Sequence, residues 1–159
     1  MIYPPVEIEK YYPNGKEAED FYVVFSRFVA YKRIDLAIEA CKELKRKLIV
    51  IGNGEERENL KKLTDNNENI IFTGRISDEE VRDYLQRCKA MIFCAEEDFG
   101  IIPVEAQACG RPVIAYGKGG ALETVVDGGT GIFFKKQEKE SVKEAILEFE
   151  KKNFKVEDI

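Results

Sequence analysis

Short apolar segments alternate with amphipathic ones along most of the chain, and this alternation limits the fold more than any other feature. The apolar segments are four or five residues long and span residues 21–25, 48–51, 70–73, 90–94, 112–116 and 131–134. Strands that are apolar on both faces and are separated by helices belong in a parallel sheet with helices packed on both sides. The sequence therefore predicts an α/β fold built on a three-layer parallel sheet.

The segments between these strands show helical periodicity. Apolar residues recur at helical spacing over residues 34–44 and again over residues 142–149, each time as one stripe on a charged helix. Ser77 is followed three residues later by Glu80, which predicts a capping box at the start of a further helix. We find no internal repeat and no low-complexity segment.

Two glutamates lie near the start of a helix that is predicted over residues 104–109. Glu97 lies on the loop between the fourth strand and this helix, and Glu105 falls in the first helical turn. A carboxylate there is favoured by the helix dipole and lies near backbone N–H groups that the helix does not use. Because ligands bind at the carboxyl ends of parallel strands, both glutamates are expected at a ligand site.

The length of the chain limits the number of domains. With 159 residues and 18.2 kDa, it is long enough for one well-buried domain and too short for two of ordinary size. A polar, proline-containing lead-in occupies residues 1–20, and the domain is assigned to residues 21–159. No apolar stretch approaches the roughly 18 residues of a membrane span, and the start of the chain lacks a signal peptide's apolar core.

Charge and cysteine usage narrow the possible partners and compartment. The 25 basic and 30 acidic residues give a net charge of −5, and the lysines are scattered among glutamates, so nucleic acid is not an expected partner. Four widely spaced cysteines fall on predicted apolar faces, which is typical of a reduced, cytoplasmic protein with buried thiols. With no histidine and no Asp-x-Asp sequence, no metal site is expected.

The sequence Gly52-x-Gly54-x-x-Arg57 follows a strand and opens a helix, so it resembles half of a dinucleotide-binding fingerprint. Arg57 occupies the third position, where close packing of helix against strand needs a small residue. A plain turn is therefore the favoured interpretation. No P-loop sequence occurs in the chain.

Two cations, Arg27 and Lys32, lie on the loop after the first strand. Such loop cations are usually only solvated charges, but here Glu97, Glu105 and the glycine run at 117–120 are predicted at the same sheet edge. A diphosphate needs cations, a sugar needs hydrogen-bond acceptors, and a close approach to the backbone needs glycine. All three requirements are met at this edge.

Five segments in this order resemble the C-terminal, donor-binding half of the family 4 retaining glycosyltransferases, which have the two-domain GT-B architecture. They are Arg27-x4-Lys32, Ile51-Gly52-Asn53-Gly54, Phe72-Thr73-Gly74-Arg75-Ile76, Glu97-x7-Glu105, and Gly119-Gly120-x-x-Glu123 with Asp127-Gly128-Gly129-Thr130-Gly131. Tyr3-Pro4-Pro5-Val6-Glu7 also resembles the segment by which that family's chain leaves its N-terminal domain. The resemblance implies a Rossmann-like domain that forms one half of a GT-B enzyme, with the N-terminal acceptor domain absent from this chain.

The resemblance implies catalytic roles for three residues and a binding role for a fourth. Arg27 and Lys32 match the pair that neutralises the diphosphate of a nucleotide sugar. Glu97 matches the carboxylate beside the donor sugar, and Glu105 matches the acid that accepts hydrogen bonds from the ribose hydroxyls.

The other donor-binding positions implied are in loops. The backbone N–H groups that match those contacting the sugar and distal phosphate belong to Phe99, Gly100, Ile101 and Ile102. The base is expected to pack against Arg75 and Ile76. Gly119 and Gly120 are expected to let the donor approach the backbone closely.

The strings at residues 96–100 and 119–125 most resemble a mannosyltransferase-type subgroup of polysaccharide and lipopolysaccharide assembly. The chain departs from the broad family pattern at Asp98 and at Arg33, where glycine is common. Both positions lie at the edges of the expected donor site and therefore bear on which sugar is bound.

The expected function is that of the donor-binding half of a retaining hexosyltransferase, which moves mannose from GDP-mannose, or another GDP- or UDP-linked hexose, to a glycan or lipid-linked acceptor. No cofactor or metal is expected, and the chain by itself is expected to be inactive. The expected location is cytoplasmic, with attachment at the membrane periphery only through the missing half. Two alternatives remain open, a non-catalytic nucleotide-sugar-binding module and a nucleotide-sugar epimerase of the same architecture.

Overall fold

A computed structural model describes residue 2 and residues 4–159, in which six strands form one sheet. The strands are β1 Tyr22–Phe25, β2 Leu48–Ile51, β3 Ile70–Gly74, β4 Ala90–Phe93, β5 Val113–Tyr116 and β6 Gly131–Phe134. Their spatial order is β3-β2-β1-β4-β5-β6, and every pairing is parallel. The predicted sheet is confirmed: two strands have the predicted bounds, and the other four differ by one residue at one end.

Helices connect the strands on both faces of the sheet. They are α1 Ile34–Leu44, α2 Arg57–Leu63, α3 Asp78–Arg87, α4 Ile101–Ala108, α5 Ala121–Thr124 and α6 Lys139–Glu150, with 3-10 turns at Ala30–Lys32 and Val156–Asp158. The predicted capping box is present at the start of α3, since Ser77 Oγ accepts from the Glu80 N–H at 3.2 Å and the Ser77 N–H donates to the Glu80 carboxylate at 2.9 Å.

Strand side chains alternate between two apolar cores, one on each face of the sheet. In β1, Tyr22 and Val24 face the core that α1 and α6 complete, while Val23 faces the core that α3 and α4 complete. The sheet is thus the middle of three layers, in a Rossmann-like arrangement. All four cysteines are buried and unpaired, as the sequence predicts.

The lead-in packs against the domain. The Gln86 side-chain amide donates to the Tyr12 carbonyl at 2.6 Å, and the buried Arg111 guanidinium donates to the Lys16 carbonyl at 2.8 Å. The domain boundary at residue 20 stays a prediction, and Tyr3 of the expected connecting segment lies outside the described residues. Within residues 2 and 4–159, no helix is long and apolar enough to cross a membrane.

Candidate functional site

The direction in which the sheet is built reverses between β1 and β4. From β1 the chain proceeds through β2 to β3 on one side, and from β4 it proceeds through β5 to β6 on the other. Loops that leave the carboxyl ends of the two central strands therefore diverge, and open parallel sheets bind their ligands in the crevice between such loops. The loop after β1 carries Arg27 and Lys32, and the loop after β4 carries Glu97.

Lys32 and Glu97 meet across this crevice. Lys32 ends the 3-10 turn after β1, and its Nζ forms an ion pair with Glu97 Oε1, the two side chains being only 13% and 20% exposed. Burial lowers the pKa of Lys32, while the adjacent carboxylate favours the charged ammonium. The structure thus brings together two residues that the sequence predicts for one site.

Arg27 is exposed and, within residues 2 and 4–159, takes part in no ion pair. The next residue, Phe28, is buried, and its backbone is held on both sides by the loop after β2. Its N–H donates to the Asn53 carbonyl at 2.9 Å, and its carbonyl accepts from the Glu56 N–H at 3.0 Å. Arg27 is therefore an unpaired cation on a fixed stretch of backbone.

Gly52 and Gly54 make this contact between loops possible. A Cβ on Gly52 would collide with the Ser26 carbonyl oxygen, and a Cβ on Gly54 would lie 2.7 Å from the Phe28 backbone nitrogen. Gly52 also has a φ of +132°, which L side chains rarely adopt. The structure agrees with the interpretation of the segment from Gly52 to Arg57 as a turn. The sequence alone does not reveal that this turn supports the loop that carries Arg27 and Lys32.

Gly119 and Gly120 have a similar role beside Glu97. A Cβ on Gly119 would lie 3.2 Å from the Glu97 backbone nitrogen, and one on Gly120 would collide with the Phe99 backbone. The Gly120 N–H donates to the Glu97 carbonyl at 2.7 Å. In this structure the two glycines therefore approach the Glu97 loop, and their expected contact with a donor stays a prediction.

A cleft of about 580 Å³ opens at the Glu97 loop. Its lining residues are Pro4, Tyr31, Glu96, Glu97, Asp98, Phe99, Gly100, Ile101 and Ile102. Five of them are predicted site residues, and three carboxyl groups give the wall many hydrogen-bond acceptors. The other predicted site residues do not line this cleft; they are Arg27, Lys32, Arg75, Ile76, Glu105, Gly119 and Gly120.

The start of α4 differs from the prediction. The helix begins at Ile101 instead of residue 104, so Glu105 lies in its second turn, and the prediction that it lies in the first turn is wrong. Gly100, with a φ of 76°, turns the chain into the helix. Pro103 fits inside the first turn because its missing N–H has no intrahelical partner there.

Glu105 is partly buried beneath the lead-in. Tyr11 of the lead-in is only 8% exposed and packs on the same core as Ala106, the neighbour of Glu105 in α4. Burial, with smaller contributions from the charges of Asp78 and Glu7, raises the pKa of Glu105 to about 7, although the nearby Tyr11 hydroxyl acts to lower it. Glu105 is thus a carboxyl group whose ionisation is balanced near neutral pH.

The departure from the family pattern at Arg33 has a local explanation. Arg33 adopts a left-handed conformation, with φ 50° and ψ 40°, which glycine adopts without steric cost. Its guanidinium forms two hydrogen bonds with the Asp35 carboxylate, at 3.2 and 3.0 Å. Arg33 therefore caps the start of α1 in a conformation that favours glycine.

Arg75 and Ile76 follow β3 at the edge of the sheet, away from the Lys32–Glu97 pair. Arg75 is exposed, while Ile76 packs on the same core as Ile102 of α4. Both lie at the carboxyl edge of the sheet, as expected for a base-binding loop. Their contact with a base stays a prediction.

Sequence reasoning missed Tyr11, Tyr31 and Gln137. Tyr31 is 60% exposed and lines the cleft, and the Gln137 amide donates to the Cys94 carbonyl at 2.9 Å, just before the Glu97 loop. Only Tyr31 carries a signal in the sequence, because it stands between Arg27 and Lys32. The other two reach the site through contacts between distant segments. Among the described residues, no three or more Cys, Asp or Glu side chains are grouped so as to hold a metal ion.

Comparison with known proteins gives a consistent result. Residues 8–159 match the family described as Glycosyl transferases group 1. The chain is 32% identical over 151 residues to an uncharacterized glycosyltransferase of Methanocaldococcus jannaschii, covering 93% of this chain and 42% of that protein. It is 35% identical over 127 residues to the GDP-mannose-dependent alpha-(1-6)-phosphatidylinositol monomannoside mannosyltransferase of Mycolicibacterium smegmatis, covering 69% of this chain and 33% of that protein.

Among solved structures, the fold is similar to the C-terminal domain of a glycosyl transferase group 1 family protein from Francisella tularensis. The TM-score is 0.79 at 22% identity, and the match covers 92% of this chain and 88% of that one. At this identity the likeness concerns the fold alone. The chain spans less than half the length of the curated relatives it matches.

Proposed function

The chain belongs to the group 1 family of glycosyl transferases, and we propose that it is the donor-binding half of a retaining hexosyltransferase that uses a nucleotide sugar. The contact between Lys32 and Glu97 at the reversal point of the sheet carries this proposal. It joins a cation suited to a diphosphate with a carboxylate suited to a sugar, at the place where such a fold binds ligands.

The diphosphate is proposed to bind at the loop after β1. Arg27 is exposed and forms no ion pair with any described residue, so it can turn toward a phosphate without breaking one. Lys32 can exchange its contact with Glu97 for a phosphate oxygen, while the first-turn N–H groups of α4 supply further donors. Charge that develops on the departing nucleoside diphosphate is then stabilised by cations that are already in place.

The donor sugar is proposed to occupy the cleft at the Glu97 loop. Glu96, Glu97 and Asp98 line it with carboxylates, which accept hydrogen bonds from sugar hydroxyls but repel phosphate. Glu97 orients the sugar and stabilises positive charge that develops near its anomeric carbon. The acidic wall thus binds the sugar of the donor, and the cationic loop binds its diphosphate.

Glu105 is proposed to accept hydrogen bonds from the ribose hydroxyls. It lies one turn into α4, and the N-terminal residues of the same helix line the sugar cleft. Because its carboxylate is partly exposed, Glu105 can offer hydrogen-bond acceptors to a ligand.

Mannose, carried by GDP, is the proposed donor sugar. The observation that favours it is the 35% identity to a GDP-mannose-dependent mannosyltransferase over 69% of the chain. The acceptor is proposed to be a glycan or lipid-linked glycan, bound by an N-terminal domain that this chain does not contain. Because Arg27 and Lys32 supply the positive charge, we expect transfer to need no metal cofactor and to survive excess EDTA.

Calorimetry on the 159-residue chain tests the donor assignment. GDP-mannose, UDP-glucose, GDP and UDP are titrated into the native chain, Arg27→Ala and a matched control, Lys47→Ala, whose exposed lysine lies at the opposite edge of the sheet. We expect GDP-mannose to bind and Arg27→Ala alone to weaken it. The proposal is wrong if no nucleotide or nucleotide sugar binds at millimolar concentration. It is also wrong if both variants bind GDP-mannose as tightly as the native chain does.

A further inference from the structure

Tyr31 is an exposed tyrosine on the loop after β1, next to Lys32. It is 60% exposed and lines the cleft at the Glu97 loop. A single exposed aromatic side chain is ordinary on a protein surface. What distinguishes Tyr31 is its position, because it lies both beside a proposed phosphate-binding cation and on the wall of the proposed sugar cleft.

The Tyr31 ring is held in place from below and from one side. Its backbone belongs to the 3-10 turn Ala30–Lys32, in which the Lys32 N–H donates to the Val29 carbonyl at 3.1 Å and the Arg33 N–H donates to the Ala30 carbonyl at 3.1 Å. The Lys32 ammonium nitrogen lies over the ring, 5.1 Å from its centroid, within the range of a cation–π contact. The ring is therefore positioned by the fold while much of its surface stays open.

Lys32 connects Tyr31 with Glu97, since its ammonium contacts both the ring of one and the carboxylate of the other. Tyr31 and Glu97 line the cleft, whereas Lys32 does not. In a nucleotide sugar, a single oxygen atom joins the anomeric carbon of the sugar to the distal phosphorus. A sugar whose distal phosphate contacts Lys32 must therefore lie close to the Tyr31 ring.

We propose that Tyr31 is a sugar-recognition residue, whose ring packs against a C–H face of the donor's hexose. This inference rests on the proposed function, because it assumes that Lys32 binds the distal phosphate. A pyranose ring carries hydroxyl groups around its rim and C–H groups on its faces, so hydrogen-bond acceptors suit the rim and a flat aromatic ring suits a face. The cleft offers both, with acceptors from the carboxylates of residues 96–98 and an aromatic surface from Tyr31.

A second role for Tyr31 would be to hold Lys32 in place for the diphosphate. That role affects every ligand that carries a diphosphate, whereas recognition of the sugar affects only ligands that carry a hexose. Comparing a nucleotide with its sugar conjugate therefore separates the two roles.

The test is calorimetric titration of GDP, GDP-mannose, UDP and UDP-glucose into five forms of the 159-residue chain: native, Tyr31→Ala, Tyr31→Phe, Tyr12→Ala and Arg27→Ala. Tyr12→Ala is the matched control, because Tyr12 is 48% exposed and has the Arg82 guanidinium 5.1 Å from its ring centroid, but does not line the cleft. Thermal unfolding of each form confirms that the variants are folded.

For the nucleotide sugar that the native chain binds, we expect Tyr31→Ala to lower affinity about threefold to tenfold, the range of one aromatic contact. Its affinity for the matching nucleotide should stay close to that of the native chain. Tyr31→Phe keeps the ring and should bind both ligands as the native chain does. Tyr12→Ala should also match the native chain.

Three results would overturn the inference while leaving the proposed function intact. In the first, Tyr31→Ala binds the nucleotide sugar as tightly as the native chain, although Arg27→Ala binds it more weakly. In the second, Tyr31→Ala loses equal affinity for the nucleotide and for its sugar conjugate, which shows that Tyr31 acts through Lys32. In the third, Tyr31→Phe loses as much affinity for the sugar conjugate as Tyr31→Ala, which assigns the contact to the hydroxyl group and not to the ring.

Failure of the proposed function gives a different result. If no nucleotide sugar binds the native chain at millimolar concentration, the proposed donor site is wrong, and this inference is wrong with it.

Discussion

At the scale of single residues, the Lys32–Glu97 pair decides how the site responds to a ligand. Both side chains are largely withdrawn from water, so each charge depends on the other for compensation. Removing one partner leaves the other partly buried and free to attract a new partner of opposite charge. In the proposed donor complex a phosphate competes with Glu97 for Lys32, so we expect the two glutamates of the site to affect nucleotide affinity differently.

We predict that Glu105→Ala and Glu97→Gln change GDP binding in different directions. Loss of the ribose acceptor should weaken GDP binding by about 1–3 kcal/mol, the cost of leaving a buried polar group unpaired. Glu97→Gln frees Lys32 for the diphosphate and should leave GDP affinity equal or higher, while it lowers turnover in the complete enzyme. Calorimetry with GDP measures both effects, and equal losses of affinity in the two variants would refute this division of roles.

We also predict that Glu105 makes the stability of the chain depend on pH. The folded protein raises the pKa of Glu105 from 4.5 to about 7, mainly through burial, so between these values the folded state holds a proton that the unfolded chain releases. The contribution of Glu105 to stability is therefore complete below pH 4.5 and is lost as the pH rises to 7 and above.

Glu105→Gln carries no such proton, so its melting temperature relative to the native chain should rise between pH 4.5 and 7 and then level off. Thermal unfolding of both chains, followed by circular dichroism at pH 4.5, 6 and 8, measures this difference. A difference that stays constant across the three pH values would show that burial does not perturb the carboxyl group.

At the scale of elements, the site depends on backbone contacts between neighbouring loops. Gly54 allows the loop after β2 to support Phe28, and the Phe28 backbone fixes the cation-bearing loop. We predict that Gly54→Ala destabilises the fold by about 1–3 kcal/mol, because its Cβ overlaps with backbone that cannot move aside as a flexible side chain would. It should weaken GDP binding as well, since Arg27 adjoins the displaced residue.

Gly117→Ala is the matched control for Gly54→Ala. Gly117 also follows a strand, but its Cβ would approach other atoms no closer than 3.4 Å, and it needs no left-handed conformation. Urea unfolding of both variants gives the two free energies of unfolding. Equal free energies would mean that the contact with Phe28 does not hold the loop.

The sequence predicts the strands and most helices because each apolar pattern is local. β2 and β6 have the predicted bounds, and the α3 capping box depends on residues only three apart. The start of α4 is mispredicted because Gly100 and Pro103, which usually mark loops, here open the helix. The burial of Tyr11 against the core that α4 completes could not be predicted, since it depends on how the lead-in docks, which no local pattern records.

At the scale of the whole molecule, we propose that this chain provides one wall of a reaction site. Its sheet has one reversal point, where we place the donor. The chain spans less than half the length of the curated relatives it matches. Much of the rate enhancement in a two-substrate reaction comes from holding both reactants together. An acceptor would have to be held by groups outside these residues.

We therefore predict that the 159-residue chain alone transfers no sugar. Radiolabelled GDP-mannose and UDP-glucose are incubated with the chain and candidate glycan acceptors, with and without an upstream domain added in trans, and label in the acceptor is measured. Transfer should require the added domain. Turnover by the chain alone that disappears in Arg27→Ala would contradict the half-enzyme account, and release of an epimerised donor would favour an epimerase instead.

We propose that a nucleotide sugar binds across the reversal point of the sheet, between the loops after β1 and β4. Titration of the ¹⁵N-labelled chain with GDP, UDP and ADP, followed by amide chemical shifts, locates this site. We expect the largest shifts at Arg27, Lys32, Glu105 and residues 97–102, and none at Lys47 or Lys89 on the opposite edge. Shifts confined to that opposite edge, or no shift with any nucleotide at millimolar concentration, would contradict the account.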